Sequence, residues 1–405
     1  MRILVLGGGG REHALCWKLA QSKGVEVFAS PGNPGIAQLG ACLPAPSSYL
    51  AVAEQIGADL TVVGPEAPLV AGVVDEFRAH GRNIVGPNRA AAQLEGSKIF
   101  AKNFFVQSNI PTAAYDTVEN AAAARRAMER FGFPVVLKAD GLAAGKGVVI
   151  VNYRAEAEAA LATLTGPLVV EEFLRGEEVS FIALCDGRNV VPLAPTQDHK
   201  AVFDGDTGPN TGGMGAYCDS HILTDAQTQE ILDRVIRPTV AATGFTGFLY
   251  AGMMMTDTGP KVLEFNVRLG DPETQPLMQR MASDFVPALV AAATGDLAGA
   301  KLEWHAGPSV CVVLASGGYP GPLETGKPIH GVAQAEAAGA TVFHAGTRQG
   351  PDGLCTSGGR VLGVTASGDN LASAIDRAYY AVAQIRFDGM HYRTDIGHKG
   401  LVRTP

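Results

Sequence analysis

The stretch that most constrains this chain is Val135–Ile150, VVLKADGLAAGKGVVI. A β-branched run ending near Lys138 leads into a loop, Asp140–Gly147, that holds three glycines, two alanines and Lys146. A second β-branched run follows. The pattern predicts strand, pliable loop, strand. Glycines let a backbone come close to a ligand and turn several N–H groups toward an anion. Lys138 and Lys146 bracket the loop, which points to a polyphosphate. The spacing Gly141-x-x-x-Gly145-Lys146-Gly147 is not that of a phosphate loop opening a helix. A hairpin folding over a nucleotide's phosphates is expected; the plain alternative is a Gly-rich hairpin with a solvated lysine.

The bulk numbers allow such a site. A chain of 405 residues holds about two to four units at ~100–200 residues each. With 46% hydrophobic and 18% charged residues, large cores can form. The net charge of −8 argues against non-specific nucleic-acid binding, so a bound polyphosphate needs a local basic pocket and a metal. Cysteines 16, 42, 185, 218, 311 and 355 show no CxxC spacing, which suggests reduced thiols and a cytoplasmic protein. The opening MRILVLGGGG is too short an apolar run for a signal peptide, and no run approaches the ~20 residues of a membrane span.

Along the chain, Arg2–Leu6 reads as a buried strand, Gly7–Gly10 as a turn, and Arg11–Gln21 as a helix. This is a Rossmann-like start, but the dinucleotide fingerprint fails, because Glu12 or His13 stands where the third glycine belongs. NAD is therefore disfavoured. An anion at the helix N-terminus, reinforced by Arg11, remains open beside an empty tight turn. Strands at Val25–Ala29, Ala58–Val63 and Ile84–Val85 alternate with helix at Leu69–His80, which implies a parallel sheet. Glu66 is placed to bond a sugar hydroxyl or to be a surface carboxylate. Ser97–Ser108 is an amphipathic helix carrying Lys98 and Lys102. Leu168–Phe173 is a strand ending in Glu171 and Glu172, with Glu178 at the start of the next. Carboxylates there suit ribose hydroxyls, and backbone groups suit an adenine edge. Pro195–Tyr217 reads as a long ordered loop with Asp198, His199 and Lys200 in one polar cluster.

Gly247–Met255 and Lys261–Phe265 read as paired strands, the second continuing through Glu264-Phe265-Asn266-Val267-Arg268. Alternation puts Glu264, Asn266 and Arg268 on one face. A carboxylate and an amide oxygen make a partial magnesium site, and Arg268 then lies where phosphate or a substrate carboxylate would sit. Gly270-Asp271-Pro272-Glu273 adds polar groups directly after. Gln275–Gly295 reads as helix, and Ser309–Leu314, Arg360–Thr365 and Ala372–Ile385 as a small α+β unit. Thr356–Arg360 reads as a hairpin turn, or else a phosphate holder.

KADGLAAGKG, EEF with GEEVSF, DTGPNTGGMGAY and EFNVRLGDPETQP together resemble an ATP-grasp ligase. With GGGGREHAL, GPEAPL, GGYPG and GGRVL added, the whole chain resembles the phosphoribosylamine–glycine ligase (glycinamide ribonucleotide synthetase) family. The resemblance implies a multidomain α/β and α+β fold: a Rossmann-like domain at 1–103, a split ATP-grasp domain at 104–303 with a mobile lid lobe at about 113–175, and a small α+β domain at 304–405. It implies ligation of glycine to 5-phosphoribosylamine with ATP, in the second step of de novo purine biosynthesis, by a monomer. Lys102 and Lys138 would contact ATP phosphates beneath a lid of Asp140, Gly141, Gly145, Lys146 and Gly147. Glu171, Glu172, Phe173 and Leu174 would line the adenine pocket, and Glu178 would bind ribose. Glu264 and Asn266 would hold Mg2+, with Mn2+ as an alternative; the preceding strand, FLYAGMMMT, offers no further acidic ligand and leaves the metal count open. Arg268, Lys200 and Asp271 would act in the chemistry. Gly9, Gly10, Arg11, Glu66, Pro209, Asn210, Thr211, Gly212, Gly213 and Met214 are candidates for ribose phosphate, and Asp198, Lys200, Arg268 and Asp271 for glycine. A sister ATP-grasp carboxylase or ligase, or a non-catalytic nucleotide sensor, are the rivals.

Overall fold

The computed structural model describes residues 1–142, 147–164 and 166–402. The apolar run Ile3–Leu6 has no polar face, which suits a central parallel strand covered on both sides. Its four side chains are fully buried. The strand Arg2–Gly7 is the middle of a five-stranded parallel sheet, flanked by Glu26–Pro31 and Leu60–Val63, with Ala41–Cys42 and Ile84–Val85 at the edges. The helix Gly10–Leu19 follows it. Glu12, the residue that spoils the dinucleotide fingerprint, folds its carboxylate back over the turn. It accepts from the Gly9 N–H at 2.6 Å and from Arg11 Nε at 2.6 Å. One N–H of the predicted anion site is thus already committed.

A separate four-stranded antiparallel sheet runs in the order Tyr115–Val118, Leu168–Glu172, Val135–Ala139, Val148–Val151. It packs on the helices Ala121–Phe131 and Arg154–Thr163 around its own core, which includes Met128, Leu137 and Val170. The buried apolar residues of this lobe therefore form a cluster distinct from those of the rest of the chain.

The third large sheet has nine strands, all paired antiparallel. Thr246–Thr256 is flanked by Gly259–Asn266 and Glu177–Asp186. The sheet then continues through Thr196–Asp198 and Gly215–Cys218 into Ser309–Ala315, Arg360–Ser367 and Thr341–His344. One sheet thus crosses the boundary expected near 303.

Four expectations about local structure are corrected. The stretch 69–80 is two helices, Glu66–Ala71 and Val73–Ala79, because Gly72 takes φ +97° and caps the first on Leu69 and Pro68 carbonyls. The stretch 275–295 is also two helices, Thr274–Arg280 and Val286–Thr294; Pro287 fits only the first turn of the second. Pro195–Tyr217 is largely extended. Thr196–Asp198 pairs with Gly215–Cys218, and Ala201–Phe203 pairs with Thr207–Asn210 in a hairpin. The turn 356–360 is not a plain hairpin turn, since Gly353–Thr356 and Arg360–Ser367 belong to different sheets.

Candidate functional site

A cleft of about 590 Å³ opens between the four-stranded lobe and the large sheet, and the N-terminal sheet and Arg360 close its far end. At the lobe end, Val136, Ile150, Phe173, Leu174, Met254 and Leu263 line it. An apolar slot beside cations suits a flat base carrying phosphates.

The cations come from two elements. Lys102 lies on the helix Lys98–Gln107, and Lys138 on the strand Val135–Ala139. Glu171, only 2% exposed, pairs with both ammoniums. Lys138 Nζ also donates to the Leu263 carbonyl at 2.9 Å, and Lys102 Nζ to Thr112 Oγ1 at 2.8 Å. Burial would raise the Glu171 carboxyl, but Lys138 and Lys102 outweigh it and hold it low. Burial wins on Lys102 and brings it down to about 8, so Lys102 and Glu171 are both charged at pH 7. One carboxylate for two ammoniums leaves a net positive charge at the cleft wall.

A second cluster faces the first. Lys200 pairs with Glu178 and stands 3.9 Å from Glu264. Burial would raise the Glu264 carboxyl, but Lys200, Lys138, Lys98 and Arg268 together hold it low. Asp198 is pushed up to about 8 by burial and by Glu273, Glu178 and Glu264, against the pull of Lys200. Behind it, Ser180 Oγ lies 2.8 Å from Tyr250 Oη and donates to Glu273 Oε1 at 3.0 Å.

Arg268 is held by two carboxylates: Glu95 at 2.8 Å and Glu66 at 3.4 Å. Its Nη2 also lies 3.4 Å from Asn266 Oδ1. Burial works against the guanidinium charge, but Glu95 and Glu66 more than offset it. Farther along, Asp271 pairs with Arg360 at 2.9 Å, and Arg360 Nη1 also donates to the Asp271 carbonyl at 2.5 Å and to the Gly212 carbonyl. Tyr319 Oη accepts from the Gly212 N–H at 3.0 Å. Burial would raise the Asp271 carboxyl; Arg360 and Arg11 keep it low.

Of the residues singled out from sequence, the cleft brings together Arg11, Glu66, Lys102, Lys138, Gly141, Gly147, Glu171–Leu174, Glu178, Asp198, Lys200, Asn210–Gly212, Glu264, Asn266, Arg268 and Asp271. Others stand outside its lining. Asp140 accepts from Ser97 Oγ at 3.0 Å and the Ile99 N–H at 3.1 Å, so its carboxylate caps the helix Lys98–Gln107. Gly9 and Gly10 lie behind Asp271; a Cβ on Gly10 would meet Gln275 Nε2 at 2.6 Å. Gly213, at φ +109°, lies against Pro272, and Met214 is buried with Val202 and Ala315. Pro209 sits on the exposed hairpin. His199 turns away into the interior, where it accepts from the Gly397 N–H at 3.4 Å. Gly145 and Lys146 lie outside the described residues.

Polar cleft residues that went unread as site residues include Lys98, Glu95, Tyr250 and Tyr319, and Arg360 was read only within a hairpin turn or phosphate holder. Lys98 was visible on the amphipathic helix one turn before Lys102, and Arg360 in the 356–360 turn. Tyr319 stood within the GGYPG motif without a role, and Glu95 carries no local signal.

The donors Glu264 and Asn266 suit a hard cation. Magnesium takes one or two carboxylates and completes its shell with phosphate oxygens and water. No cluster of three or more His, Cys, Asp or Glu ligands occurs among the described residues.

Family profiles match along nearly all of the chain: phosphoribosylglycinamide synthetase N domain over residues 1–95, ATP-grasp (A) domain over 96–274, and C domain over 309–399. A phosphoribosylamine–glycine ligase of Salmonella typhimurium is 50% identical, with 100% of this chain and 99% of that protein covered. The crystal structure of the Thermotoga maritima phosphoribosylamine–glycine ligase superposes with TM-score 0.85 at 35% identity, covering 98% of this chain and 100% of that one. The biotin carboxylase domain of Hydrogenobacter thermophilus 2-oxoglutarate carboxylase, solved with MgADP and bicarbonate, shares the fold at TM-score 0.74 and 17% identity, over 96% and 91% of the two chains. The chain belongs to the phosphoribosylglycinamide synthetase family, in the ATP-grasp fold.

Proposed function

We infer that this chain is an ATP-dependent carboxylate–amine ligase that joins glycine to 5-phosphoribosylamine, giving glycinamide ribonucleotide, ADP and phosphate. The observation that carries the reading is one cleft in which an apolar slot, two lysines around Glu171, a Glu264–Asn266 pair and a buried arginine face one another.

A carboxylate is a poor acyl donor at neutral pH. Transfer of the γ-phosphoryl group from ATP to a glycine carboxylate oxygen forms glycyl phosphate and releases ADP. The amine of phosphoribosylamine then attacks the acyl carbon, the C–O bond to phosphate breaks, and inorganic phosphate leaves. In-line transfer needs positioning and charge neutralisation more than covalent help. Lys138 and Lys102 supply fixed positive charge for ATP phosphates. A magnesium ion held by Glu264 and Asn266 would spread the charge of the phosphates. Arg268, its fork held by Glu66 and Glu95, is the group we assign to the acyl oxygen where charge develops. Asp198, Lys200 and Asp271 are the groups for the glycine ammonium and carboxylate. Arg11, Glu66 and Asn210–Gly212 are those for the ribose phosphate. The lobe with its own core supports a lid reading at 113–175, which would shield an acyl phosphate from water.

The division at 1–103, 104–303 and 304–405 remains our reading of the domains. A monomer likewise remains our reading of its assembly. No helix among the described residues is long and apolar enough to cross a membrane, and the scattered thiols fit a cytoplasmic enzyme. The test is substrate dependence: ADP release should require both glycine and phosphoribosylamine, and turnover with bicarbonate or formate in place of glycine would move the chain to a sister activity.

A further inference from the structure

The hairpin Ala201–Phe203/Thr207–Asn210 projects from the cleft, and the segment 391–399 lies against its tip. Arg393, 1% exposed, stands at the centre. Its guanidinium donates to the Ala201 carbonyl at 3.1 Å and to Asp206 at 2.9 Å, and grips Asp395 through two contacts of 2.7 Å. Asp395 accepts from the Gly205 N–H at 2.9 Å. The Thr394 N–H donates to Asp204 at 2.8 Å, and Lys399 pairs with Asp206 at 2.6 Å. His391 Nε2 lies 2.8 Å from the Val202 carbonyl, and its ring meets Phe203 edge-on at 5.6 Å.

The hairpin's other end reaches the cleft. The Lys200 carbonyl accepts from both the Thr211 N–H and Thr211 Oγ1 at 2.8 Å, and the His199 carbonyl accepts from the Met214 N–H. Asp198, Lys200 and Thr211 line the cleft and are therefore carried on the same small frame. Phe203 and residues 204–207 are solvent-exposed, and two of the tip glycines, Gly205 and Gly208, have positive φ. Such a tip has little apolar burial to hold it. The 391–399 segment supplies that hold through charge-assisted hydrogen bonds, which are the strong kind.

We propose that residues 391–399 form a clasp, centred on Arg393, that sets where Asp198, Lys200 and Thr211 stand in the cleft and so governs recognition of the non-nucleotide substrates. The kinetic part of this rests on the ligase reading above; the positioning part does not. Arg393 is a positioning residue, since it acts through the hairpin and not on a substrate.

The experiment uses the full chain with Asp206→Ala or Lys399→Met, at two half-exposed positions, and with Arg393→Lys, which keeps the charge but not the fork. The KM for glycine or phosphoribosylamine should rise about tenfold while the ATP KM stays within about twofold, as expected for displaced contacts far from the bond changes. Arg393→Lys, which loses the fork on Asp395, should raise that KM at least as much as Asp206→Ala. A fall in kcat alone, or a rise shared equally by ATP, is what a merely stabilising contact gives and would overturn the proposal. Hydrogen exchange on the ligand-free protein tests positioning without any turnover. Residues 198–202 and 210–212 should exchange faster in Asp206→Ala than in wild type; equal exchange would overturn the clasp even if the ligase reading stands. A wild type that lacks glycine-dependent turnover would count against that reading and leave the exchange test to decide.

Discussion

Glu171 and Lys138 stand diagonally across two antiparallel strands: Val136 is the residue directly opposite Glu171, and Lys138 lies two positions on along the same face. Diagonal neighbours of this kind are within reach of long side chains. The Lys138 ammonium meets Glu171 Oε1 at 2.5 Å, and Lys102 reaches the other oxygen from a helix. The strand register therefore places two cations against one buried carboxylate at the mouth of an apolar slot.

Glu171→Gln would leave two buried ammoniums facing each other. Losing one partner of a buried ion cluster costs about 3–5 kcal/mol. We expect a clear fall in Tm and an ATP KM raised about tenfold or more, measured by thermal denaturation and steady-state kinetics. An unchanged ATP KM would mean that the two lysines do not serve the nucleotide.

Arg268→Lys keeps the charge but loses the fork that Glu66 and Glu95 hold. kcat should fall about 10²–10³-fold while ATP affinity stays within about twofold, as for a donor aimed at developing charge. Equal losses in both would assign Arg268 to nucleotide binding instead.

Glu264→Gln should raise the free Mg2+ needed for half-maximal rate about tenfold, and chelation should abolish turnover of the wild type. An unaltered Mg2+ requirement would place the cation on other ligands.

The pH dependence of stability follows from three buried histidines. Burial lowers His13 to about 3, His199 to about 3 and His344 to about 4. His13 and His344 meet where the first helix packs on the strand Thr341–His344: the His344 N–H donates to His13 Nδ1 at 2.7 Å. Below about pH 6.5 the unfolded chain takes up protons that the native imidazoles refuse. Stability is therefore full above that pH and falls with acid until the native values are reached, by up to about 1.4 kcal/mol per pH unit for each histidine. Denaturant melts between pH 7 and 5 would show this; His344→Gln should reduce the slope, and a flat profile would contradict it.

Much of the fold could be read from local pattern. The β-branched runs at 135–139 and 148–151 form strands within a residue of expectation because no other element suits such runs. Gly72 and Pro287 were visible helix breaks, but the apolar periodicity on either side masked them. The hairpin at 201–210 was hidden because its turn and second strand, DGD and TGPN, are rich in Asp, Gly and Pro, and its partners lie near residue 393. The site shows the same limit. Glu264, Asn266 and Arg268 were legible because a strand's alternation gathers them. Glu95 was not, since it reaches Arg268 across 173 positions and belongs to no local pattern. Arg360 likewise becomes a cleft residue only when the large sheet carries the C-terminal strands back to Asp271.

The most direct measurement is product formation by the purified protein with ATP, Mg2+ and freshly generated phosphoribosylamine, with and without glycine. The account predicts ADP release that depends on glycine and matches glycinamide ribonucleotide formed, one for one. ADP release that ignores glycine, or needs another carboxylate, would contradict it.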